Sequence, residues 1–298
     1  MRSFLRIRDF SRAEAGEIFR LAREFKTKRG EFCRDLLRGR TFALIFSKSS
    51  TRTRVSFEVG IRELGGHALF LNAADVQLGR GEPIIDTARV LAKMVHGTVI
   101  RTFAQSDVDD FARASGLVTI NALTDEEHPC QILTDIFTYE EKYGSIKGRK
   151  VVFVGDADCN VARSFVHAAE LFDFQLVCAA PEGYQSQVSN SHTVLTHDVA
   201  AAARDADLLY TDVWISMGKE SEAQARLQAF RGYQINRELL STAGPKCMVL
   251  HCLPAYRGKE ITEDILEARA GDIFEQAGNR LPVQQAIIAF LMGTTTAP

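Results

Sequence analysis

The chain has 298 residues, a length that favours roughly two domains of about 150 residues each and excludes a small disulfide-stapled scaffold. Hydrophobic residues make up 46% and charged residues 25%, which excludes disordered, collagen-like and coiled-coil proteins. The 36 Lys and Arg against 38 Asp and Glu leave a net charge of −2, so no global field would draw the chain to nucleic acid or to an anionic membrane. Any anion that it binds must be captured locally.

Cysteine spacing and hydropathy indicate the compartment. The six cysteines are scattered, with no C-x-x-C pair and no metal-finger spacing, which favours reduced thiols in a cytosol. No stretch approaches the ~20 apolar residues of a membrane span, and residues 1–9 lack the long apolar core of a signal peptide. We therefore expect a cytoplasmic protein with no membrane segment.

Short β-branched or aromatic runs alternate with longer amphipathic stretches, a pattern that predicts βαβ units and parallel sheets. A first series occupies the N-terminal half, with helix-like segments at 53–64 and 87–95. In the second of these, Ala88, Leu91, Ala92 and Val95 share one helical face. The predicted strands are Thr41–Phe46, His67–Leu71, Thr98–Phe103 and Val118–Leu123.

A second series follows, and it predicts a second sheet. Its predicted strands are Lys150–Gly155, Gln175–Ala180, Asp207–Val213 and Met248–Cys252. Between the series, Gln131–Tyr143 has helical spacing with a stop signal at Gly144, and a last apolar helix is predicted over Val283–Met292. The predicted fold class is α/β, with two domains, each a parallel sheet flanked by helices, joined by interdomain helices.

The segment Phe46–Arg54 is the most informative for chemistry. It follows a strand and opens a helix, so the unpaired backbone N–H groups of the first helical turn point where a phosphate can accept them. Ser50, Thr51 and Thr53 add hydroxyl donors, and Arg52 offers a planar fork for an oxyanion. These residues predict an anion site; the alternative is an ordinary helix cap with a solvated basic patch.

Three further clusters follow predicted strands, where α/β sheets place ligand groups. His128 and Gln131 could polarise a carbonyl and hold an amide, and Asp212 could receive a substrate ammonium. Cys252 could be a nucleophile, a metal ligand or a hydrogen-bonding contact. Taken one at a time, a structural histidine, a helix-capping aspartate and an inert buried cysteine are the commoner interpretations.

The strand-turn-helix pattern of Val152–Asn160 suggests dinucleotide binding, but the segment lacks the G-x-G-x-x-G glycines because Ala157 and Asn160 stand where flexibility is needed. We therefore rank nucleotide binding low.

Taken together, these motifs resemble those of the aspartate/ornithine carbamoyltransferase superfamily, and within it the ornithine-using branch. Each motif is a modest signal, whereas all of them in this order, over nearly the whole chain, are a strong one. The residues that carry the resemblance are Ser50–Arg54, Gln77, Asp86–Leu91, Arg101, His128–Gln131, Asp212, Ser216–Gly218, His251–Pro254 and Arg280.

The resemblance implies two α/β domains with the active site in the cleft between them: residues 1–145 for carbamoyl phosphate, with the helix at 283–293 packing back on them, and residues 146–282 for ornithine. It also implies a homotrimer, or a multiple of trimers, in which a loop of the neighbouring subunit completes each site. Gln77 lies in the segment that would be that loop.

The resemblance also implies a role for each matching residue. The carbamoyl phosphate set is Ser50, Thr51, Arg52, Thr53, Gln77, Arg101, His128, Gln131, Cys252, Leu253 and Arg280, of which Arg101, His128, Cys252 and Arg280 would be catalytic. The ornithine set is Asn160, Asp212, Ser216 and Met217. No metal or organic cofactor is expected, and the expected partners are carbamoyl phosphate, L-ornithine and other copies of the chain.

The chemistry fits these roles. A neutral δ-amine must attack the carbonyl carbon while phosphate leaves, so positioned Arg and His donors would stabilise the oxyanion and the helix start would stabilise the phosphate. Because an amine of this kind has a pKa near ~10.4, the reactive form is scarce at neutral pH, and the rate should rise with pH.

Some positions depart from the family pattern without removing a named ligand. Pro83 should stiffen the loop after Gln77, and Arg163 stands where a small polar residue is more usual. The turn with Ala157, Asp158 and Cys159 replaces a form rich in glycine and asparagine. These departures affect the expected acceptor specificity more than the expected reaction.

Other functions compete with this one. Aspartate carbamoyltransferase would need cationic groups where Asp212 and Ser216–Gly218 present a carboxylate. Putrescine or an N-acylornithine as acceptor is a closer rival, although the Ser-Met-Gly segment is intact. A noncatalytic binding protein on the same scaffold and an NAD(P)-dependent oxidoreductase remain as alternatives from other classes. The sequence leaves the anabolic or catabolic direction open.

Overall fold

A computed structural model describes residues 2–76 and 81–293 of the chain. The backbone divides into two compact units. The first comprises the residues up to Thr134 together with those from Asn279 onward, and the second comprises Asp135–Gly278. The division falls inside two helices, which run from one unit into the other as the predicted connecting helices do.

Each unit contains one parallel sheet, which confirms the predicted fold class. The first unit has strand order β2-β1-β3-β4. Its strands and helices are α1 (Arg12–Thr27), β1 (Thr41–Phe46), α2 (Thr51–Glu63), β2 (His67–Asn72), α3 (Ile84–Leu91), β3 (Gly97–Arg101), α4 (Gln105–Ser115), β4 (Val118–Leu123) and the first part of α5 (Pro129–Tyr143).

The second unit has a five-stranded sheet of order β7-β6-β5-β8-β9. After the remainder of α5, its elements are β5 (Lys150–Val154), α6 (Asn160–Phe172), β6 (Gln175–Ala179), β7 (Thr193–Thr196), α7 (Val199–Ala203), β8 (Leu208–Thr211), α8 (Ala223–Ala229), α9 (Arg237–Thr242), β9 (Met248–His251), α10 (Glu263–Ala268) and the start of α11 (Ala270–Leu291).

Burial explains why apolar and β-branched residues dominate the strand sequences. Every residue of β3, β4, β8 and β9 is buried, as expected for parallel strands covered on both faces. The edge strands β2 and β7 are only partly covered. The sequence analysis missed β7, since its four residues are partly exposed and too short to give a periodic signal.

The helix predictions are confirmed with shifted bounds. In the 87–95 stretch, Ala88 and Val95 are buried in one core cluster with Leu91 and Ala92 packed against it, although the helix itself ends at Leu91. The connecting helix α5 ends at Tyr143, where Gly144 takes a φ of 77° that favours glycine. The last helix begins at Ala270 rather than Val283 and continues through Pro282.

Candidate active site

The segment predicted as an anion site lies at the end of β1 in the first unit. The chain leaves β1 at Phe46, and α2 begins at Thr51 with Ser50 as its N-cap, whose side chain accepts from the Thr53 N–H at 3.3 Å. The first turn of α2 therefore directs backbone N–H groups away from the helix, as the sequence predicted. Thr53 is buried, whereas Thr51 is exposed.

Arg280 links this helix start to α5. Its guanidinium is buried, and Nη1 donates to Gln131 Oε1 at 2.6 Å while Nη2 donates to Thr53 Oγ1 at 3.3 Å. Thr53 and Arg280 are separated by 227 positions in the chain. These two bonds orient the planar fork of the arginine toward the start of α2 and toward α5.

The ends of β3 and β4 bring two more residues of the predicted set, Arg101 and His128, to the start of α2. Arg101 ends β3 beside Phe46 of β1, and its carbonyl accepts from the Ser47 N–H at 2.8 Å. His128 precedes α5 and is buried, and its carbonyl accepts from the Gln131 N–H at 3.0 Å. The carboxyl ends of adjacent parallel strands thus converge at the start of α2.

Electrostatics place His128 among the arginines. Burial lowers the pKa of His128 well below its usual value, and the positive charges of Arg280, Arg101 and Arg52 lower it further. His128 is therefore neutral at physiological pH, and one ring nitrogen carries a proton while the other carries a lone pair. Three cations around a neutral imidazole suit an anionic ligand and a polarised carbonyl.

Sequence reasoning passed over Lys48 in this loop. Lys48 is buried, forms an ion pair with Asp125, and holds its ammonium 4.4 Å from the centroid of the Phe103 ring. Lys48 thereby connects the loop between β1 and α2 to the segments that follow Arg101 and precede His128. A cation–π contact under a loop leaves no periodic signal, so only its place inside the motif could have suggested the role.

The second unit places Asp212, from the predicted ornithine set, and Cys252, from the predicted carbamoyl phosphate set, just after two neighbouring strands. Asp212 follows β8 and Cys252 follows β9, and the last residues of those two strands, Thr211 and His251, are paired in register. The Cys252 thiol donates to Asp212 Oδ1 at 2.9 Å, and the Val213 N–H donates to the same oxygen at 2.7 Å. Two donors thus hold the carboxylate.

Burial determines the protonation of this pair. Burial raises the pKa of Asp212, and the electrostatic effect of His251 and the hydrogen bond from Cys252 reduce this rise. Burial and then the Asp212 charge raise the pKa of Cys252 well above its usual value. Cys252 is therefore a thiol that donates a hydrogen bond, and of the three roles left open by the sequence this geometry supports the contact, not the nucleophile.

Asp212, His251 and Cys252 place one ligand atom each within 4.8 Å of one another, which raises the question of a metal. His251 does not fit that role, because its Nδ1 accepts from the Leu253 N–H at 2.8 Å and its Nε2 faces Glu260 Oε1 at 3.2 Å. Both ring nitrogens are engaged in hydrogen bonds, so no lone pair is left for an ion. The histidine instead fixes the Cys252-Leu253 backbone.

The rest of the acceptor set lies on two turns. Gly155 follows β5 with a φ of 131°, a backbone that favours glycine, and the turn ends at Cys159, which caps α6, and Asn160, its first residue. Ser216 and Met217 lie in the turn after Asp212, with Met217 half exposed. Gln77, the remaining predicted site residue, lies outside the described residues.

Comparison with known proteins identifies the class of enzyme. Residues 2–141 match the model of the aspartate/ornithine carbamoyltransferase carbamoyl-P binding domain, and residues 147–291 match that of the Asp/Orn binding domain. The chain therefore belongs to the aspartate/ornithine carbamoyltransferase family, and the resemblance drawn from the sequence is confirmed.

Individual relatives narrow the comparison to one branch. The chain is 51% identical to a protein named ornithine carbamoyltransferase from Akkermansia muciniphila, over 98% of both chains. It is 45% identical to one named ornithine carbamoyltransferase, anabolic, from Pyrococcus furiosus, over 98% of this chain and 96% of that protein. The solved P. furiosus ornithine carbamoyltransferase superposes with a TM-score of 0.90 at 44% identity, covering 99% of this chain and 98% of that one.

Proposed function

We propose that this chain transfers the carbamoyl group of carbamoyl phosphate to the δ-amino group of L-ornithine, giving L-citrulline and phosphate. The observation that carries the acceptor assignment is the partly buried Asp212 carboxylate, held by the Cys252 thiol and the Val213 N–H. An ammonium in a partly dry site needs such a charged partner. The matching family domains and the names of the relatives support the same reaction.

The division of labour follows the two matched domains. Residues 1–145, with the helix at 283–293, bind carbamoyl phosphate, and residues 146–282 bind ornithine. For the first substrate the helix start at Ser50–Thr53 and the arginines 52, 101 and 280 receive the phosphate and the carbonyl oxygen. The resemblance adds Gln77 and the Cys252-Leu253 backbone to this set. Asn160, Asp212, Ser216 and Met217 hold the α-amino and α-carboxyl groups of ornithine.

The reaction is an acyl transfer. The neutral δ-nitrogen forms a bond to the carbonyl carbon, the carbonyl oxygen gains negative charge, and the C–O bond to phosphate then breaks. Neutral His128 donates one N–H to that oxygen, and Arg101 and Arg280 add positive charge beside it. The first turn of α2 and Arg52 stabilise the departing phosphate, while the amine proton leaves with phosphate or to solvent.

A homotrimer fits the surface of the first unit. The edge strand β2 and the neighbouring helices expose apolar side chains, including Val55 on α2, Leu69 on β2, and Val90 and Met94 at the α3 end. Exposed apolar residues on an edge strand favour burial against another chain. Analytical ultracentrifugation tests this proposal: a monomer at micromolar concentration would contradict it.

Two further parts of the proposal concern context. No helix in the part of the chain that the structure describes is long and apolar enough to cross a membrane. We place the enzyme in the cytoplasm because all six cysteines are free, which suits a reducing compartment. We assign it to arginine biosynthesis, a role supported by a relative whose name carries the word anabolic.

One assay tests the reaction and its acceptor together. Purified protein is supplied with carbamoyl phosphate and, in parallel, with L-ornithine, putrescine, N-acetylornithine and L-aspartate, and both released phosphate and carbamoylated product are measured. We expect the rate of product formation with L-ornithine to exceed the rate with each other acceptor by at least about 100-fold, because a site with buried polar partners discriminates to at least that extent. Preference for any other acceptor would overturn the assignment.

A further inference from the structure

Arg226 is an unusual residue for its helix. It is the buried residue of the seven-residue helix α8, with an exposed fraction of 5%. Arginine is rarely buried unless its guanidinium is paired. The position carries no motif and has no place in the proposed chemistry, so its burial needs another explanation.

The guanidinium makes three hydrogen bonds and one aromatic contact. Its Nη1 donates to Asp156 Oδ2 at 2.7 Å and to the Trp214 carbonyl at 3.0 Å, and its Nε donates to Glu222 Oε2 at 2.8 Å. The Tyr184 ring lies against it, with its centroid 5.0 Å from the guanidinium carbon. The Arg226 and Asp156 side chains are only 6% and 9% exposed, which makes this a desolvated ion pair.

Two of its partners, Asp156 and Trp214, lie in the two turns that carry the proposed acceptor contacts. Trp214 stands between Asp212 and Ser216 in one turn. Asp156 opens the other turn, which ends at Asn160, and shapes it by accepting the Asp158 N–H at Oδ1, 3.1 Å away. A single nitrogen atom of Arg226 therefore joins both turns.

This bridge cannot be replaced by another side chain of similar charge. Lysine has a single nitrogen on a flexible stem and cannot reach Asp156, Trp214 and Glu222 in the planar arrangement of the fork. Removing the cation would leave the Asp156 carboxylate buried without its partner, which is strongly unfavourable, so the turn would rearrange to reach water. The separation of the two turns thus depends on Arg226.

We propose that Arg226 is a positioning residue for the amino-acid acceptor, which it serves by holding residues 212–218 and 155–160 at the separation that the acceptor's α-amino and α-carboxyl groups require. The identity of the acceptor rests on the proposed function, whereas the hydrogen bonds from Arg226 to both turns do not depend on it. Arg226 itself touches no reacting atom.

The test compares Arg226→Met, Arg226→Lys, Asp156→Asn and the double variant Arg226→Met/Asp156→Asn by steady-state kinetics. We expect Arg226→Met to raise KM for ornithine about tenfold or more and to leave KM for carbamoyl phosphate within about twofold, because only the acceptor turns move. Arg226→Lys should fall between Arg226→Met and the wild type. The double variant should lose no more than Arg226→Met, since both changes break one bond.

Arg237→Met is the matched control, because Arg237 is an exposed arginine of the same unit paired with Asp264. It should leave both KM values unchanged. Hydrogen exchange of the free protein provides a readout that needs no substrate: amides of 212–218 and 155–160 should exchange at least about tenfold faster in Arg226→Met, with core amides unchanged. Hydrogen exchange also distinguishes local opening of the two turns from poor folding of the variant, because in a poorly folded variant the core amides lose protection as well.

Equal rises in both KM values, or unchanged exchange in the two turns of a folded Arg226→Met, would overturn the inference. Failure of the proposed function is a separate outcome. If the wild type uses putrescine or N-acetylornithine instead of ornithine, the acceptor assignment fails, while the same KM comparison with the accepted amine and the exchange data still decide whether Arg226 positions the turns.

Discussion

Replacing Arg280 tests the candidate anion site, because this one side chain connects three of its parts. Arg280→Met removes the donors to Gln131 and Thr53 and deletes one of the charges that lower the pKa of His128. Methionine keeps an unbranched apolar stem and removes the guanidinium. Its effects on carbamoyl phosphate and on His128 can therefore be assigned to the lost guanidinium.

The expected fall in kcat/KM for carbamoyl phosphate follows from the position of Arg280. Arg280 is 2% exposed and donates to Gln131 and Thr53 of the candidate anion site, and the proposed function assigns its guanidinium to carbamoyl phosphate. A charge-assisted contact to a transition state in such an environment is worth ~2–4 kcal/mol, which corresponds to a ~30- to 1000-fold fall in kcat/KM for carbamoyl phosphate. Ornithine KM should change much less.

The effect on His128 has a definite sign. Removing a nearby cation makes the imidazolium less unfavourable, so the pKa of His128 should rise in Arg280→Met. It should remain below its usual value, since burial is the larger cause of the depression. Histidine-labelled NMR titration measures this, with His128→Asn used to assign one signal among the seven histidines.

The control is Arg113→Met, an exposed arginine of the same unit that pairs with Asp110 on α4. It should alter neither kcat/KM nor the His128 titration. A folded Arg280→Met with carbamoyl phosphate kinetics within threefold of the wild type would refute the site. An unchanged His128 pKa would refute the electrostatic argument even if activity fell.

Three further predictions concern other parts of the chain. Asp212→Asn keeps the shape of the side chain and removes its charge, so kcat/KM for ornithine should fall ~10- to 1000-fold while equilibrium dialysis shows near-normal carbamoyl phosphate binding; the reverse pattern would exchange the roles of the two units. If Gln77 acts on a neighbouring subunit, refolding inactive Arg52→Ala together with inactive Gln77→Ala should restore part of the activity, and hybrids that form without activity would contradict a shared site. Burial raises the pKa of Glu127 from 4.5 to about 7, so between these pH values the folded state holds a proton that the unfolded state has lost, and the free energy of unfolding falls by ~3 kcal/mol as pH rises from 4.5 to 7. Glu127→Gln should abolish this dependence of the free energy of unfolding on pH, measured by denaturant melts. The same dependence in the wild type and in Glu127→Gln would contradict the argument.

The sequence by itself determined the fold class and the position of the helix start that is the candidate anion site. Short segments rich in β-branched residues, such as Val118–Leu123, predict buried strands, and the amphipathic stretches between them predict parallel sheets. The start of α2 was predictable for a similar reason, because Ser50 before a helical pattern is a local signal that needs no distant contact.

Contacts between distant positions required the tertiary structure. The resemblance put Arg280 in the carbamoyl phosphate set, but only the folded chain shows that it donates to Thr53, 227 positions away. Arg226 is a similar case: its helix is short and mostly exposed, so periodicity places an arginine there in solvent. The fold buries it because Asp156 and the Trp214 carbonyl converge on that point from two separate strand ends.

The protonation states were also decided by tertiary structure. Sequence left Cys252 open as a nucleophile, a metal ligand or a contact, since a cysteine after a strand is compatible with each. Burial beside the Asp212 carboxylate keeps it a thiol, and burial among arginines keeps His128 neutral. Local sequence carries the residue types of a site, whereas the dielectric and the neighbouring charges that set their chemistry exist only once the chain has folded.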